Sequence, residues 1–356
     1  MSVTFVLPAD VADAAMPSGG NVYDRRVAAG LTAAGRGVCG VLVAGAWPRP
    51  AAEETRALAD ALARSPAGAV VLLDGLVACG VPEVVVPQAH RLRLIVLVHM
   101  PLSFAVGLAP AEAAELDARE RETLRAARAV VTTSPWTADW LIHHHELTAE
   151  TVHVAVPGVD RAPLAPGTDG VSRLLCVGSV TPGKGQDLLV DALAGLAEAP
   201  WTCECVGSVR RDPGYVARVR ELIARRGLSA RISLPGPRTG DALELAYAAA
   251  DLVVVPSRAE MYGMVVTEAL SHGIPVLATG VQGVPETLGR AADGSVPGIL
   301  VAADDAVALA GGLGRWFSDE GLRRRLRRSA RLRRDKLPSW DETVRRVALA
   351  LDEAAG

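Results

Sequence analysis

Asp251-Leu-Val-Val-Val255 runs straight into Pro256-Ser-Arg-Ala-Glu-Met-Tyr-Gly-Met-Val-Val-Thr-Glu268. The apolar run reads as a buried parallel strand. From Gly263 to His272 the residues Val265, Val266, Ala269 and Leu270 recur at helical spacing, and Gly273-Ile-Pro275 stops the helix. The stretch is therefore strand, loop, helix. Glu260 falls in the loop, Gly263 opens the helix, and Glu268 lies about one and a half turns in. Unpaired amides at a helix start bind anions. Two carboxylates flanking such a site suit a ligand with phosphate in its middle and hydroxyls at both ends, which is the shape of a sugar nucleotide. An acid favoured by the helix dipole plus a solvated glutamate gives the same spacing, so the remaining sequence has to decide.

Outward from this unit the same alternation repeats. Downstream of position 173 strands are expected at 174–177, 201–206, 232–234, 252–255, 276–278 and 298–301. Helices are expected between them, at 186–197, 213–226, 241–249, 263–272, 285–290 and 305–316. The first half shows strands at 3–7, 38–43, 69–73, 92–98, 129–133 and 152–156, with helices at 21–34, 51–63, 111–127 and 135–144. Strands that are apolar throughout and separated by helices imply parallel, doubly wound sheets. The Pro- and Gly-rich stretch 157–171 has no periodicity and reads as a linker. The fold class is α/β, with two Rossmann-like domains and a cleft between them. The expected domains are 1–160, with a last helix at about 339–356, and 171–338.

Composition narrows the function. A chain of 356 residues suits two cores better than one. Its net charge of -3 argues against nucleic acid as the main partner. The five cysteines have no metal-ligand spacing and read as reduced thiols, so a cytoplasmic location is expected. The first residues carry no signal-peptide pattern, and no stretch approaches the roughly 20 apolar residues of a membrane span. From Asp319 onward arginines crowd the chain, but Leu322, Leu326 and Ala330 form an apolar stripe at spacing four. A solvated helix face explains that segment better than a membrane or nucleic-acid patch.

Further stretches carry chemistry. Gly178-Ser-Val-Thr-Pro-Gly-Lys184-Gly185 fits the phosphate-loop template through its lysine, but the Ser/Thr that would hold magnesium is Gly185. No acid at the end of a downstream strand completes a nucleotide hydrolase, although Val70-Val-Leu-Leu-Asp74, ahead of the loop, has that look. The loop still places a lysine and several amides where a phosphate can dock. Only two lysines occur in the chain, Lys184 and Lys336. His99 ends a strand, where ligands sit in open α/β sheets; a buried, hydrogen-bonded histidine would look the same. Gly19-Gly20 stands between the first strand and its helix, where glycines let backbone amides approach a ligand or simply make a turn. His143-His-His145 is expected to be a polar helix end, because neighbours on a helix point apart and do not converge on one ion. No Asp-x-Asp pair offers a metal site, and the G-x-G-x-x-G pattern of dinucleotide-dependent dehydrogenases is absent.

Taken together, these residues resemble the retaining family-4 glycosyltransferases of the GT-B fold. The resemblance rests on Glu260-x7-Glu268 within Pro-Ser-x-x-Glu-x-x-Gly-x-x-x-x-Glu-Ala-Leu, on Val177-Gly-Ser-Val-Thr-Pro-Gly-Lys-Gly, on Pro275-Val-Leu-Ala-Thr-Gly-Val-Gln-Gly-Val-Pro-Glu286 and on Pro157-Gly-Val-Asp. It implies two Rossmann-like domains facing across a cleft, with the last helix crossing back to the first. It also implies that Glu260 holds donor-sugar hydroxyls and Glu268 the ribose diol. The amides of Gly263, Met264 and Val265 would cradle the diphosphate, with Ser179, Met261 and Tyr262 beside them, and Lys184 would neutralise the leaving phosphates. Gly19 and Gly20 would approach the diphosphate and acceptor, His99 the sugar near its reacting carbon, and Arg238 the base. In one place the sequence departs from the pattern: the arginine that usually accompanies the lysine is missing, with Ser179 and Gly183 in its positions.

The expected function is transfer of a sugar from a nucleotide-diphosphate donor to an acceptor hydroxyl. Retention, no metal and no cofactor beyond the donor are expected, and a small-molecule acceptor is favoured over lipid. The alternative is a sugar-nucleotide-binding protein without transfer activity of its own, or one that needs a partner. A two-carboxylate hydrolase is disfavoured because Glu268 lies in a helix turned away from Glu260.

Overall fold

A computed structural model describes residues 2–356. The chain forms two units. The first comprises residues up to 12, 19–158 and 338–356; the second comprises 13–18 and 159–337.

The first unit holds β1 (Ser2–Pro8), β2 (Gly37–Val43), β3 (Val70–Asp74), β4 (Arg93–Val98), β5 (Ala129–Thr132) and β6 (Val152–Val154). They pair in parallel in the order β2-β1-β3-β4-β5-β6. β3 and the last five residues of β4 are fully buried, as the unbroken apolar runs require. One face packs against the helix Gly19–Ala33 and the final helix Trp340–Ala355, burying Phe5, Tyr23, Leu31, Val347 and Leu351. These two helices approach closely at Gly30, where an added Cβ would lie 3.2 Å from Val344 Cβ and nearer still to its Cγ2. Arg36 grips Asp352 with both guanidinium nitrogens at 2.8 and 2.6 Å. Between β3 and β4 lie short helical turns, Gly75–Ala78 and Pro82–Val85, which sequence periodicity is too brief to show. Asp74 caps the first, accepting the Leu76 amide at 2.6 Å.

The second unit holds β7 (Arg173–Val177), β8 (Thr202–Val206), β9 (Ile232–Gly236), β10 (Leu252–Val255), β11 (Val276–Thr279) and β12 (Gly298–Val301). All are parallel, in the order β12-β11-β10-β7-β8-β9. Trp201 and Trp316 anchor one core face. The stretch expected to be a linker has no regular structure beyond position 158, yet it is fastened. Buried Asp251 accepts hydrogen bonds from the amides of Thr168, Gly170 and Arg173 and from the Thr168 hydroxyl.

The arginine-rich helix Glu320–Arg333 buries Leu322, Leu326 and Ala330. Several of its arginines, with Arg334 just beyond it, work as carbonyl caps. Arg323 donates to the oxygens of Trp316 and Phe317, Arg333 to those of Leu288 and Lys336, and Arg334 to that of Ser271. Among the described residues no helix is long and apolar enough to cross a membrane.

Candidate functional site

In an open α/β sheet the strand order reverses at one point, and loops leaving the carboxyl ends of the two strands there open a crevice. In the second sheet that point lies between β7 and β10. The loop after β7 carries Lys184, and the loop after β10 carries Glu260. Lys184 Nζ forms an ion pair with Glu260 Oε2. Both side chains remain partly open, at 33% and 17% exposure. The Glu260 amide donates to Gln282 Oε1 at 3.0 Å, which fixes the loop against the segment after β11.

The departure from the phosphate-loop template has a steric cause. Gly185 has φ +68°, and an added Cβ would stand 3.0 Å from the Pro256 carbonyl carbon and closer still to its oxygen. The two loops are thus pressed together, and only glycine fits both the backbone conformation and the gap. Arg258 N donates to Gly183 O at 2.8 Å across the same seam.

Arg258, whose amide bonds the same loop, is a nearby cation that could replace the missing arginine. It is instead clamped by Asp187 at 2.8 and 2.9 Å, by Asp304 at 2.7 Å and by the Pro182 carbonyl at 2.8 Å. The hydrogen bonds it donates to Asp187 and then to Asp304 lift its pKa further above the ordinary range despite burial. Its charge is already balanced inside the protein.

Gly263, at φ +89°, is the N-cap of the helix Met264–Ser271, so the helix begins one residue later than the sequence suggests. The first amides of a helix lack intrahelical carbonyl partners four residues back, and here that of Val266 turns to the Gly263 carbonyl at 2.8 Å. Met261 and Tyr262 are buried, so what they offer a ligand is mainly backbone. Glu268 is partly buried in mid-helix and accepts the Tyr247 hydroxyl at 2.6 Å. Burial raises its carboxyl pKa, opposed by that hydrogen bond. Tyr247 in turn stacks on His272, with ring centroids 4.9 Å apart. Ser179 lies in the lysine loop, its carbonyl accepting Gln186 Nε2 at 3.1 Å. Arg238, after β9, is held by Glu204 at 2.9 and 3.4 Å.

The first unit has its own cluster. Its strand order reverses between β1 and β3. Gly19 and Gly20 open the helix that follows β1, and a Cβ on Gly20 would lie 3.3 Å from His99 Cδ2. The His99 ring meets Tyr23 edge-on at 5.3 Å. Its Nε2 bonds Asp24 Oδ1 at 2.9 Å and lies 3.7 Å from Asp74 Oδ2. Both carboxylates are buried. Burial alone would lower the His99 pKa, but the Asp24 charge and hydrogen bond, with Asp74, carry it up to about 9. Burial and the Asp24 charge raise Asp74 to about 7. At neutral pH His99 is therefore a cation beside two buried acids. Asp24 went unnoticed in the sequence. Its signal is an acid one turn beyond Gly-Gly, on the helix face turned toward the strand that ends in His99. Asp74 drew notice only as a strand-ending acid.

Among the described residues, two sets of side chains each bring three ligand-type atoms within 4.8 Å of one another: Asp24, Asp74 and His99, and Asp117, His144 and His145. The run of three does not converge as a whole, since His143 turns back to Asp139, but its last two members approach one another. His144 and His145 both reach the neighbouring helix Pro110–Ala126, His144 bonding Asp117 and His145 bonding Glu120.

Residues 167–333 match the family described as Glycosyl transferases group 1. A D-inositol 3-phosphate glycosyltransferase of Salinispora tropica is 32% identical over 293 residues, 76% of this chain and 59% of that protein. The Salinispora arenicola protein of the same name is 32% identical over 283 residues, covering 73% and 62%. The chain thus spans about three fifths of the length of these curated relatives. Among solved structures, a sucrose-phosphate synthase from Thermosynechococcus elongatus superimposes with TM-score 0.82 at 22% identity, covering 98% of each chain. Anabaena HepE in complex with UDP-glucose gives 0.77 at 18% identity over 99% of each. The chain has the two-domain α/β fold of the GT-B glycosyltransferases, and within it residues 167–333 are similar to the group 1 glycosyl transferases.

Proposed function

We propose that the protein transfers a hexose from a nucleotide-diphosphate donor to an acceptor hydroxyl. The observation that carries this reading is the Lys184–Glu260 pair at the reversal point of the second sheet, beside the start of the helix Met264–Ser271. Breaking a sugar–phosphate bond builds negative charge on the departing diphosphate. A lysine, exchanging Glu260 for the diphosphate, and the amides at the helix start answer that charge. Glu260 then receives sugar hydroxyls, and Glu268, oriented by Tyr247, accepts the ribose diol. HepE was solved with UDP-glucose and relatives carry the name D-inositol 3-phosphate glycosyltransferase, so UDP-hexoses are the first donors to try. His99 has the acceptor-side role as a charged hydrogen-bond donor. Retention, metal-independent departure of the diphosphate and a small-molecule acceptor complete the proposal. The last follows from the scarcity of aromatic platforms for a long glycan, aromatic residues being 4% of the chain.

The test is release of nucleoside diphosphate from UDP-, GDP- and ADP-sugars across an acceptor panel. Lys184→Ala and Glu260→Ala should each lower kcat/KM by about 10²–10³ while the protein stays folded, the scale for removing one charge-stabilising contact. Unchanged turnover in both variants sinks the proposal. A second reading, donor binding without transfer, is favoured by one observation: Arg258 is fully engaged, leaving Lys184 as the single cation of its loop. Tight donor binding with no diphosphate release over the whole panel would select it.

A further inference from the structure

On the outer side of the first unit the C-terminal turn of the helix Pro135–His145 lies against the helix Pro110–Ala126. His144 Nε2 sits 2.7 Å from Asp117 Oδ1. The His144 ring is stacked on Trp140 at 4.2 Å, which fixes its plane. The other Asp117 oxygen is held by Arg121 Nη2 at 3.2 Å, so Oδ1 is the oxygen left to face His144. His145 is wholly buried, and its Nε2 bonds Glu120 Oε2 at 3.1 Å. Its Nδ1 is buried with no hydrogen-bond partner.

A buried, unpartnered ring nitrogen calls for a water or an ion. When Nε2–H donates to the Glu120 carboxylate, Nδ1 is the bare lone pair, and a carboxylate behind the far nitrogen is how metal-binding histidines are oriented. One nitrogen each of His144 and His145 and one Asp117 oxygen already lie within 4.8 Å of one another. Donor atoms around a four-coordinate Zn²⁺, at about 2.0–2.2 Å from the ion, stand about 3.3 Å apart. His144 Nε2 and Asp117 Oδ1, now 2.7 Å apart, would open to that spacing as the half-exposed His144 turns toward His145. The other such cluster, around His99, contains a histidine that carries its own positive charge at neutral pH and already donates to Asp24, so it does not compete as a cation site.

We propose that Asp117, His144 and His145 bind a divalent transition-metal ion of the Zn²⁺ kind, with water as the fourth ligand, stapling the two helices together. Two imidazoles and one carboxylate suit zinc or cobalt rather than magnesium or calcium. The site is structural and independent of the transfer chemistry, so its test reads binding and stability.

Tag-free protein, stripped with chelator, is titrated with Co²⁺ and Zn²⁺. One equivalent of Co²⁺ per chain should give the strong visible absorption of a four-coordinate site, and Zn²⁺ should displace it and raise Tm. His144→Ala removes a half-exposed ligand and leaves the core intact; it should weaken Zn²⁺ at least about tenfold, and Asp117→Asn should do likewise. His143→Ala, next in sequence but outside the cluster, should bind like the parent. Absence of stoichiometric Co²⁺ uptake, or parental affinity in both His144→Ala and Asp117→Asn, overturns the proposal and leaves water as the partner of His145.

Discussion

Replacing Gly185 with serine completes the phosphate-loop template that the sequence almost spells, and the structure says this will damage the protein. Two costs add. Serine must adopt φ near +68°, a left-handed conformation costing about 1–2 kcal/mol for a residue with a Cβ. Its Cβ must also displace the Pro256 carbonyl, whose carbon lies 3.0 Å away, and overpacking a tight contact costs about 1–3 kcal/mol. A loss of about 3 kcal/mol is expected in the second unit, equivalent to a fall in Tm of about 6–12 °C for a domain of this size. Tryptophan fluorescence during urea or thermal unfolding reports it, because Trp201 and Trp316 are both buried in that unit's core. Donor affinity should fall with it, since the same displacement moves the Glu260 loop away from Lys184. Gly185→Ala should behave alike, which separates the steric effect from any hydroxyl chemistry. A Gly185→Ser protein with parental Tm and parental donor affinity would falsify the account of why this template ends in glycine.

Other expectations follow from the first unit. Gly30→Ala should cost about 1–3 kcal/mol by pushing the final helix off its neighbour, and Val344→Ala in the same chain should recover part of it, a coupling that a double-mutant cycle measures. The His99 ring should titrate near pH 9 by NMR, and Asp24→Asn should bring it down by removing its nearest charge. Because the folded pKa is raised above 6.5, the stabilisation from His99 is complete below pH 6.5 and lost as pH climbs through about 9. His99→Gln should flatten that part of the stability profile, and an unchanged profile would count against the Asp24–His99 bond.

Much of the architecture was open to reading because parallel strands buried on both faces must be apolar throughout. That made β3, β4 and β10 visible as runs, and the glycines and prolines between them marked the loops. The pairing of Lys184 with Glu260 could be anticipated only as a shared ligand, since 76 positions separate them and nothing local brings them together. What stayed hidden was set by tertiary contact. Arg258 looks like a free cation in sequence, and only Asp187 and Asp304, distant in the chain, show it to be spent on structure. The turns between positions 75 and 88 are too short to show a period. The segment 157–171 looks loose because its anchor, Asp251, lies some eighty residues away. His144 and His145 do point apart in an ideal helix, but at its last turn the packing of Trp140 and the acids of the next helix draw both rings inward.

The final helix also sets an order of manufacture. Val347, Ala350 and Leu351 fill one face of the first sheet together with Phe5 and Tyr23, yet they are translated only after all twelve strands. Gly158, where the chain leaves that unit, packs against Ser339 and Trp340, where it returns: a Cβ there would lie 2.5 Å from the Ser339 carbonyl carbon. On the ribosome the first half therefore waits, with an apolar face uncovered, while the second unit is made and folds. Completion of the first unit is thus expected to follow synthesis of the second, against the usual front-to-back order. Synthesis that stalls before position 340 would leave the first unit as a chaperone substrate even though every strand of its sheet has emerged.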